Sequence, residues 1–170
     1  GKGSTCAMLE SIYSKAGYRV GLFSSPHLIR FNERIRVNDE EMSDDVIVSS
    51  LEEVDSARQG VSLTYFEYAF LAALNIFLRQ RVEIVILEVG LGGRLDAANV
   101  LDPICSIVTN IGLDHLEYLG ETREDIGFEK AGIFRGDGAY SICGDEDPPE
   151  SIFNVILNVR GDLRVIARDF

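Results

Sequence analysis

The chain has 170 residues, of which 46% are hydrophobic and 26% charged, so it can fold around a core of its own. Its 28 acidic residues outnumber the 16 basic ones and give a net charge of −12. That balance argues against binding to duplex DNA or to an anionic membrane, because both require a basic surface. No apolar run reaches the ~20 residues of a membrane span. The dispersed Cys6, Cys105 and Cys143 suit neither a disulfide framework nor a zinc site, and indicate reduced, packed thiols in the cytoplasm.

Hydrophobic periodicity predicts helices and strands that alternate along the chain. In chain order, we predict a helix after Thr5 that stops at Gly17, strands at 19–23 and 34–37, a helix at 43–54, a helix from the Thr64 capping box to Leu78, strands at 82–89 and 104–109, a helix at 122–131, a strand at 140–143, a helix starting at 147–149 and a strand at 163–167. The nearly continuous apolar runs at 82–89 and 104–109 are typical of buried parallel strands. The alternation predicts an α/β fold in three layers, with a mainly parallel sheet covered by helices on both faces.

Polar side chains follow three of the predicted strands. Ser24 and Ser25 follow the strand at 19–23, Glu88 ends the strand at 82–89, and Asp114 and His115 follow the strand at 104–109. Ligands of parallel sheets bind beyond the carboxyl ends of the strands, so we expect these groups to converge at one edge. A carboxylate at the end of an apolar strand is costly unless it is paired, hydrogen-bonded or bound to a cation. We favour a functional Glu88 over a buried structural ion pair, and leave His115 open between a packed side chain and a ligand or catalyst.

Two further features each have a functional and a structural interpretation. The opening sequence Gly1-Lys2-Gly3-Ser4-Thr5 before a helix resembles the end of a phosphate-binding loop, although a frayed terminus with a serine or threonine cap would look the same. Because it reads as the second half of a motif, we expect the N-terminus to be truncated. Arg30, Arg34 and Arg36 form a basic cluster, which we interpret as a solvated loop slightly more readily than as an anion site.

Six segments together resemble the bifunctional dihydrofolate synthase/folylpolyglutamate synthase family of the Mur ligase superfamily. In order they are GKGST at 1–5, SSPHLIRFNERIRV at 24–37, SLTYFEYAFLAAL at 62–74, EVGLGGRLDAANV at 88–100, TNIGLDHLEYLG at 109–120 and EKAGIF at 129–134. They span almost the whole chain. The family usually has threonine where this chain has Ala98.

The resemblance implies a P-loop NTPase-like central domain over 1–170, lacking the upstream half of the P-loop and a C-terminal ligase domain. It implies a monomer that uses ATP to join L-glutamate to dihydropteroate or a folate through an acyl phosphate, with no nucleic-acid or membrane partner. Carried over from the family, the ATP contacts are Gly1, Lys2, Gly3 and Ser4, the ligands of two Mg²⁺ ions are Ser25, Glu88, His115 and a carbamylated Lys130, the pterin contacts are Thr64, Tyr65, Phe66, Glu67, Leu95, Asp96 and Ala97, and the catalytic residues are Lys2, Lys130 and His115.

Two alternative functions remain. One is a Mur-type ligase that adds an amino acid to a UDP-sugar peptide, which the TYFEY and SPHL segments disfavour. The other is a nucleotide-binding module without catalysis.

Overall fold

The computed structural model describes residues 1–113 and 116–170, which form two compact units. One unit is Lys2–Gly90, and the other is Leu91–Phe170 together with Gly1. The expectations for His115 and for its neighbour Asp114 lie outside the described residues. Within these ranges, no helix combines the length and the apolar character needed to cross a membrane.

The unit Lys2–Gly90 is built on a mixed sheet. Its elements are α1 (Lys2–Lys15), β1 (Val20–Phe23), a 3₁₀ helix (Phe31–Arg34), β2 (Ile35–Val37), β3 (Glu40–Glu41), α2 (Asp44–Ala57), α3 (Tyr65–Arg79) and β4 (Ile84–Leu87). The strand order is β3-β2-β1-β4. β4 runs parallel to β1, whereas β2 and β3 are antiparallel to their neighbours. The carboxyl ends of β1 and β4 therefore lie side by side.

Successive residues of β1 point to opposite faces of this sheet, and each face is covered by a helix. Val20 and Leu22 pack with Cys6 of α1. Gly21 faces α3, where the Phe77 ring is so close that an added Cβ would lie 2.7 Å from it. The three-layer arrangement predicted from the sequence is thus present in this unit.

The other unit contains a wholly parallel sheet. Its elements are a 3₁₀ helix (Ala97–Val100), β5 (Cys105–Val108), α4 (Leu116–Leu119), α5 (Arg123–Ala131), β6 (Tyr140–Cys143), α6 (Glu150–Val159) and β7 (Asp162–Val165). The strand order is β5-β6-β7. Val108, Ile126, Phe134 and Ile152 belong to one apolar cluster that joins β5 and the two longer helices.

The α/β class and most predicted elements are confirmed; the two-residue strand β3 was not predicted, and three further details differ. The first helix begins at Lys2 instead of after Thr5. β4 is less buried than its apolar sequence predicts, since it is the edge strand of its sheet and Val85 is 43% exposed. All three cysteines are free, but Cys105 is exposed because it begins β5, so its interpretation as a packed thiol is wrong.

Candidate functional site

The predicted convergence of Ser25 and Glu88 is confirmed. Glu88 directly follows β4, and Ser25 lies two residues beyond the end of β1. Because the two strands are parallel neighbours, both residues reach the same sheet edge. The backbone N–H of Ser25 donates a hydrogen bond of 3.0 Å to Glu88 Oε2. Glu88 is only 6% exposed, so a nearly buried carboxylate lies beside the serine at the strand ends.

The first turn of α1 lies against this carboxylate. Lys2, Gly3 and Ser4 are all within the helix. A Cβ added to Gly3 would lie 3.8 Å from Glu88 Oε1 and 3.9 Å from Oε2. One turn further on, burial raises the pKa of the Cys6 thiol to about 11, with a smaller contribution from the negative charge of Glu88 that the Lys2 ammonium opposes. The helix N-terminus, Lys2 and Glu88 therefore form one local charge arrangement. Gly1, in the other unit, lies near Thr109 and Asn110, which directly follow β5.

An aromatic cluster joins the loop between β1 and β2 to the start of α3, and Tyr65 is its one mainly exposed ring. Arg34 Nε donates a 2.7 Å hydrogen bond to His27 Nδ1, and its guanidinium lies 5.2 Å from the centre of the Tyr65 ring. Phe31 contacts both the His27 and the Tyr65 rings, each at 6.0 Å between ring centres. Arg34 is itself buried, so the interpretation of this arginine as part of a solvated loop is wrong. Its stacking on two rings and its hydrogen bond with a histidine account for that burial.

The predicted pterin segment at the start of α3 divides into structural and exposed residues. Thr64 and Glu67 form the predicted capping box: Thr64 Oγ1 accepts from the Glu67 N–H at 3.2 Å, and Glu67 Oε2 accepts from the Thr64 N–H at 2.7 Å. Tyr65 is mainly exposed. Phe66 packs edge-on against Phe23, and a Cβ added to Gly90 would lie 2.7 Å from its ring. Of the four, Thr64 and Tyr65 are exposed, and Tyr65 offers an aromatic ring to a ligand.

The second predicted pterin segment lies in the other unit. Asp96 caps a 3₁₀ helix, and its carboxylate accepts from the N–H groups of Ala98 at 2.9 Å and Leu91 at 3.0 Å. Leu95 is highly exposed, and Ala97 begins the 3₁₀ helix. The Asp96 carboxylate thus ties the start of the glycine-rich loop, residues 91–93, to the 3₁₀ helix.

Lys130 occupies the last turn of α5, and its side chain is half-buried. The helix begins at the predicted cap, where Thr122 Oγ1 accepts from the Asp125 N–H at 3.2 Å. Loop residue Gly93 approaches its other end so closely that a Cβ there would lie 2.9 Å from the Lys130 carbonyl oxygen. The glycine-rich loop and the end of the lysine-bearing helix therefore pack together within this unit.

Sequence reasoning missed two carboxylates. Glu10 of α1 is fully buried and pairs with Arg36 of β2 at 3.0 Å; burial raises its pKa, which the Arg36 charge opposes. Glu33 accepts three backbone N–H groups from the loop that carries Ser25. The signal for Glu10 was a carboxylate on the apolar face of a helix. For Glu33 there was none, because its partners are main-chain groups.

The donor set at the strand ends suits a hard divalent cation. A buried carboxylate and a serine hydroxyl are oxygen donors of the kind that Mg²⁺ and Mn²⁺ prefer, and Mg²⁺ keeps several water or phosphate ligands of its own. The described part of the chain contains no group of three or more His, Cys, Asp or Glu side chains that could hold a metal ion by themselves. Ser25 and Glu88 therefore fit part of a metal site, one that phosphate oxygens or water would complete.

Comparison with known proteins gives matches over most of the chain. The model of the Mur ligase middle domain matches residues 1–161. The dihydrofolate synthase/folylpolyglutamate synthase of Escherichia coli strain K12 is 52% identical over 155 residues, which are 91% of this chain and 36% of that protein. The structure of E. coli FolC with DHPP and ADP matches with a TM-score of 0.94 and 49% identity, over 96% of this chain and 39% of that one.

A second structure supplies a metal and a nucleotide analogue. It is the bifunctional folylpolyglutamate synthase/dihydrofolate synthase of Yersinia pestis complexed with AMPPNP and Mn ion, with a TM-score of 0.93 and 47% identity over 97% of this chain and 40% of that one. The chain thus spans about 40% of the length of the proteins it matches.

Proposed function

This chain belongs to the Mur ligase family, whose middle domain it carries, and from that premise we propose that it handles ATP in an enzyme that joins L-glutamate to dihydropteroate or a folate. The observation that carries the proposal is the meeting of Glu88 and Ser25 beside the first turn of α1 at the ends of two parallel strands. A helix N-terminus binds phosphate, and a nearly buried carboxylate holds a cation against it. The similarity to proteins solved with ADP, AMPPNP, DHPP and Mn supports the same ligands here.

In this reaction a carboxylate oxygen of the pteroate or folate attacks the γ-phosphorus of ATP, and ADP leaves. The amine of glutamate then attacks the acyl phosphate, and the tetrahedral intermediate expels inorganic phosphate. The backbone N–H groups at the start of α1 and the Lys2 ammonium bind the phosphate oxygens, with Gly1, Gly3 and Ser4 allowing close contact. Fixing the reacting oxygen in line with phosphorus is the main contribution the chain makes.

We assign Ser25 and Glu88 to one Mg²⁺ and propose His115 and Lys130 for a second, with Lys130 as its carbamate. A bound divalent cation neutralises charge that develops on the phosphoryl oxygens. Carbamylation replaces an ammonium, which repels a metal, by a carboxylate that suits it. Only the neutral amine adds carbon dioxide, so carbamylation begins with the loss of the ammonium proton.

The exposed side chains nearest the two predicted pterin segments suit a flat, heteroaromatic substrate. Tyr65 presents a ring beside the Arg34 guanidinium, and Leu95 presents an apolar side chain. A heteroaromatic ring stacked on Tyr65 gains about 1 kcal/mol beyond the burial of its area, and Leu95 adds apolar contact. Thr64, Phe66, Glu67, Asp96 and Ala97 then shape the two segments, with contacts to the substrate made where their atoms are accessible.

The test is the substrate dependence of phosphate release by the complete gene product. We expect release to require ATP, a divalent cation, dihydropteroate or a folate, and L-glutamate together. Release that instead requires a UDP-sugar peptide would favour the other Mur-type ligase. ADP binding without release under any of these conditions would favour a non-catalytic module.

A further inference from the structure

The loop from Ser24 to Arg34 closes on itself. At its base the Ser24 N–H donates to the Arg34 carbonyl oxygen at 3.0 Å, and Ser24 Oγ donates to the Glu33 carbonyl oxygen at 3.3 Å. Ser25 lies between these points, and its backbone N–H donates a hydrogen bond to Glu88 Oε2. The conformation of the loop therefore decides where Ser25 lies relative to that carboxylate.

The Glu33 carboxylate accepts hydrogen bonds from three successive main-chain N–H groups at the tip of this loop. Glu33 Oε1 accepts from the N–H groups of Ile29 at 2.8 Å and Arg30 at 2.7 Å, and Oε2 accepts from that of Leu28 at 2.7 Å. These three bonds lower the pKa of Glu33 to about 2, so it is ionised throughout the physiological range. Charge-assisted bonds of this kind are shorter and roughly twice as strong as neutral ones.

The tip has no apolar anchor of its own. Leu28 is 89% exposed and Ile29 is 88% exposed, so neither side chain contributes burial that would fix the loop. The base of the loop has other side-chain contacts: the His27–Arg34 hydrogen bond, the stacking of Phe31, and the buried Asn32, whose Nδ2 donates to the Met42 carbonyl oxygen and to Asp44 Oδ1 at 2.7 Å each. At the tip, the exposed Arg30 guanidinium also pairs with Asp44 at 3.6 Å, but none of these contacts satisfies the N–H groups of residues 28–30. Glu33 is thus the group that satisfies the main chain where the loop is otherwise in solvent.

We propose that Glu33 is a positioning residue, which holds the Ser24–Arg34 loop so that Ser25 reaches the metal site beside Glu88. This role rests on the proposed assignment of Ser25 as a metal ligand. Glu33 acts through the main chain and does not touch the metal or substrate. Groups that orient metal ligands in this way typically account for 10- to 100-fold in metal affinity or activity.

The test uses Glu33→Gln in the complete gene product, since glutamine keeps the shape but replaces one acceptor by an N–H that faces a backbone N–H. Hydrogen exchange followed by mass spectrometry reports on residues 28–30, and electron paramagnetic resonance reports on Mn²⁺ binding with ADP present. We expect loss of protection at 28–30 and roughly tenfold or more weaker Mn²⁺ binding. Glu33→Asp retains the charge on a shorter side chain, and its Mn²⁺ affinity and exchange protection should lie between those of the parent protein and Glu33→Gln.

The matched control is Glu124→Gln. Glu124 likewise accepts two backbone N–H groups, from Glu150 at 3.0 Å and Ser151 at 2.8 Å, but lies in the other unit. We expect Mn²⁺ affinity in the control to stay within twofold of the parent protein. Unchanged exchange at 28–30, or an Mn²⁺ affinity in Glu33→Gln within twofold of the parent, overturns the role of Glu33. If the parent protein does not bind Mn²⁺, the proposed metal site itself is wrong, and the positioning role fails with it. The exchange measurement distinguishes this failure, because it shows separately whether Glu33 holds residues 28–30.

Discussion

Replacing Glu88 by glutamine probes the centre of the proposed site with little change in shape. The amide oxygen can still accept the Ser25 N–H that now lies 3.0 Å from Oε2, so the strand ends should stay together. What is lost is one negative charge in a position that is only 6% exposed. We therefore expect the fold and the thermal transition to be retained and cation binding to fail.

The size of the effect follows from the charge. Two unit charges 4 Å apart interact by about 4 kcal/mol at the effective dielectric constant near a protein surface. Since each 1.4 kcal/mol is a factor of ten, that energy corresponds to roughly 10³ in affinity or rate. A water or an amide oxygen replaces part of the lost interaction, so we expect turnover and Mn²⁺ affinity to fall about 100- to 1000-fold.

Glu83→Gln is the matched control at the opposite end of β4. Glu83 precedes β4 as Glu88 follows it, and it too accepts a backbone hydrogen bond, from the Arg19 N–H at 2.9 Å. The four residues of β4 lie between them, so five residue steps separate the two glutamates by ~16 Å. Phosphate release and Mn²⁺ titration of both variants should show a loss in Glu88→Gln alone. Equal behaviour of the two variants would refute the assignment of Glu88 to a metal.

Four further outcomes follow from the structure. Lys130→Ala should lower turnover severely, with short carboxylates restoring part of it, and labelled carbon dioxide should give a carbamate signal by carbon NMR in the parent; an active sample without that signal contradicts the modification. Gly21→Ala places a Cβ 2.7 Å from the Phe77 ring and should lower the free energy of unfolding by about 1–3 kcal/mol, measured with denaturant; an unchanged midpoint would mean that the ring moves freely. Thr122→Ala removes the cap of α5 and should lower the free energy of unfolding by about 1 kcal/mol, whereas a change near zero would show that the cap is dispensable. The pKa of Glu33 is lowered from 4.5 to about 2, so its stabilisation is present above pH 4.5 and is lost as the pH falls towards 2; the difference in stability between the parent and Glu33→Gln should shrink over that window, and a constant difference contradicts it.

The sequence predicted the elements of the fold well where local rules decide. The capping boxes at Thr64 and Thr122 mark the true helix starts, because their side chains satisfy orphan backbone donors within the same turn. It also predicted that Ser25 and Glu88 meet, since parallel neighbouring strands end at one edge. The antiparallel strand β3 was missed, as two glutamates show no hydrophobic alternation.

Pairings that depend on the folded conformation, whether local or long-range, could not be predicted from the sequence. Glu33 looks like an ordinary surface acid until its three backbone partners are seen, and Arg34 looks solvated until it stacks beneath Tyr65. The burial of Glu10 against Arg36 depends likewise on a helix and a strand that lie 26 residues apart in sequence. The predicted roles of Lys2 at phosphate, of Lys130 as a carbamate and of His115 remain predictions.

The most direct test of the proposed reaction follows an oxygen atom. Dihydropteroate labelled with ¹⁸O in its carboxylate is incubated with the complete gene product, Mg²⁺, ATP and L-glutamate, and the inorganic phosphate is analysed by mass spectrometry. An acyl phosphate requires one carboxylate oxygen to leave with phosphorus, so we predict one ¹⁸O in each phosphate released per amide formed. Amide formation with unlabelled phosphate would contradict the acyl-phosphate route, and phosphate release without any amide would contradict the ligase itself.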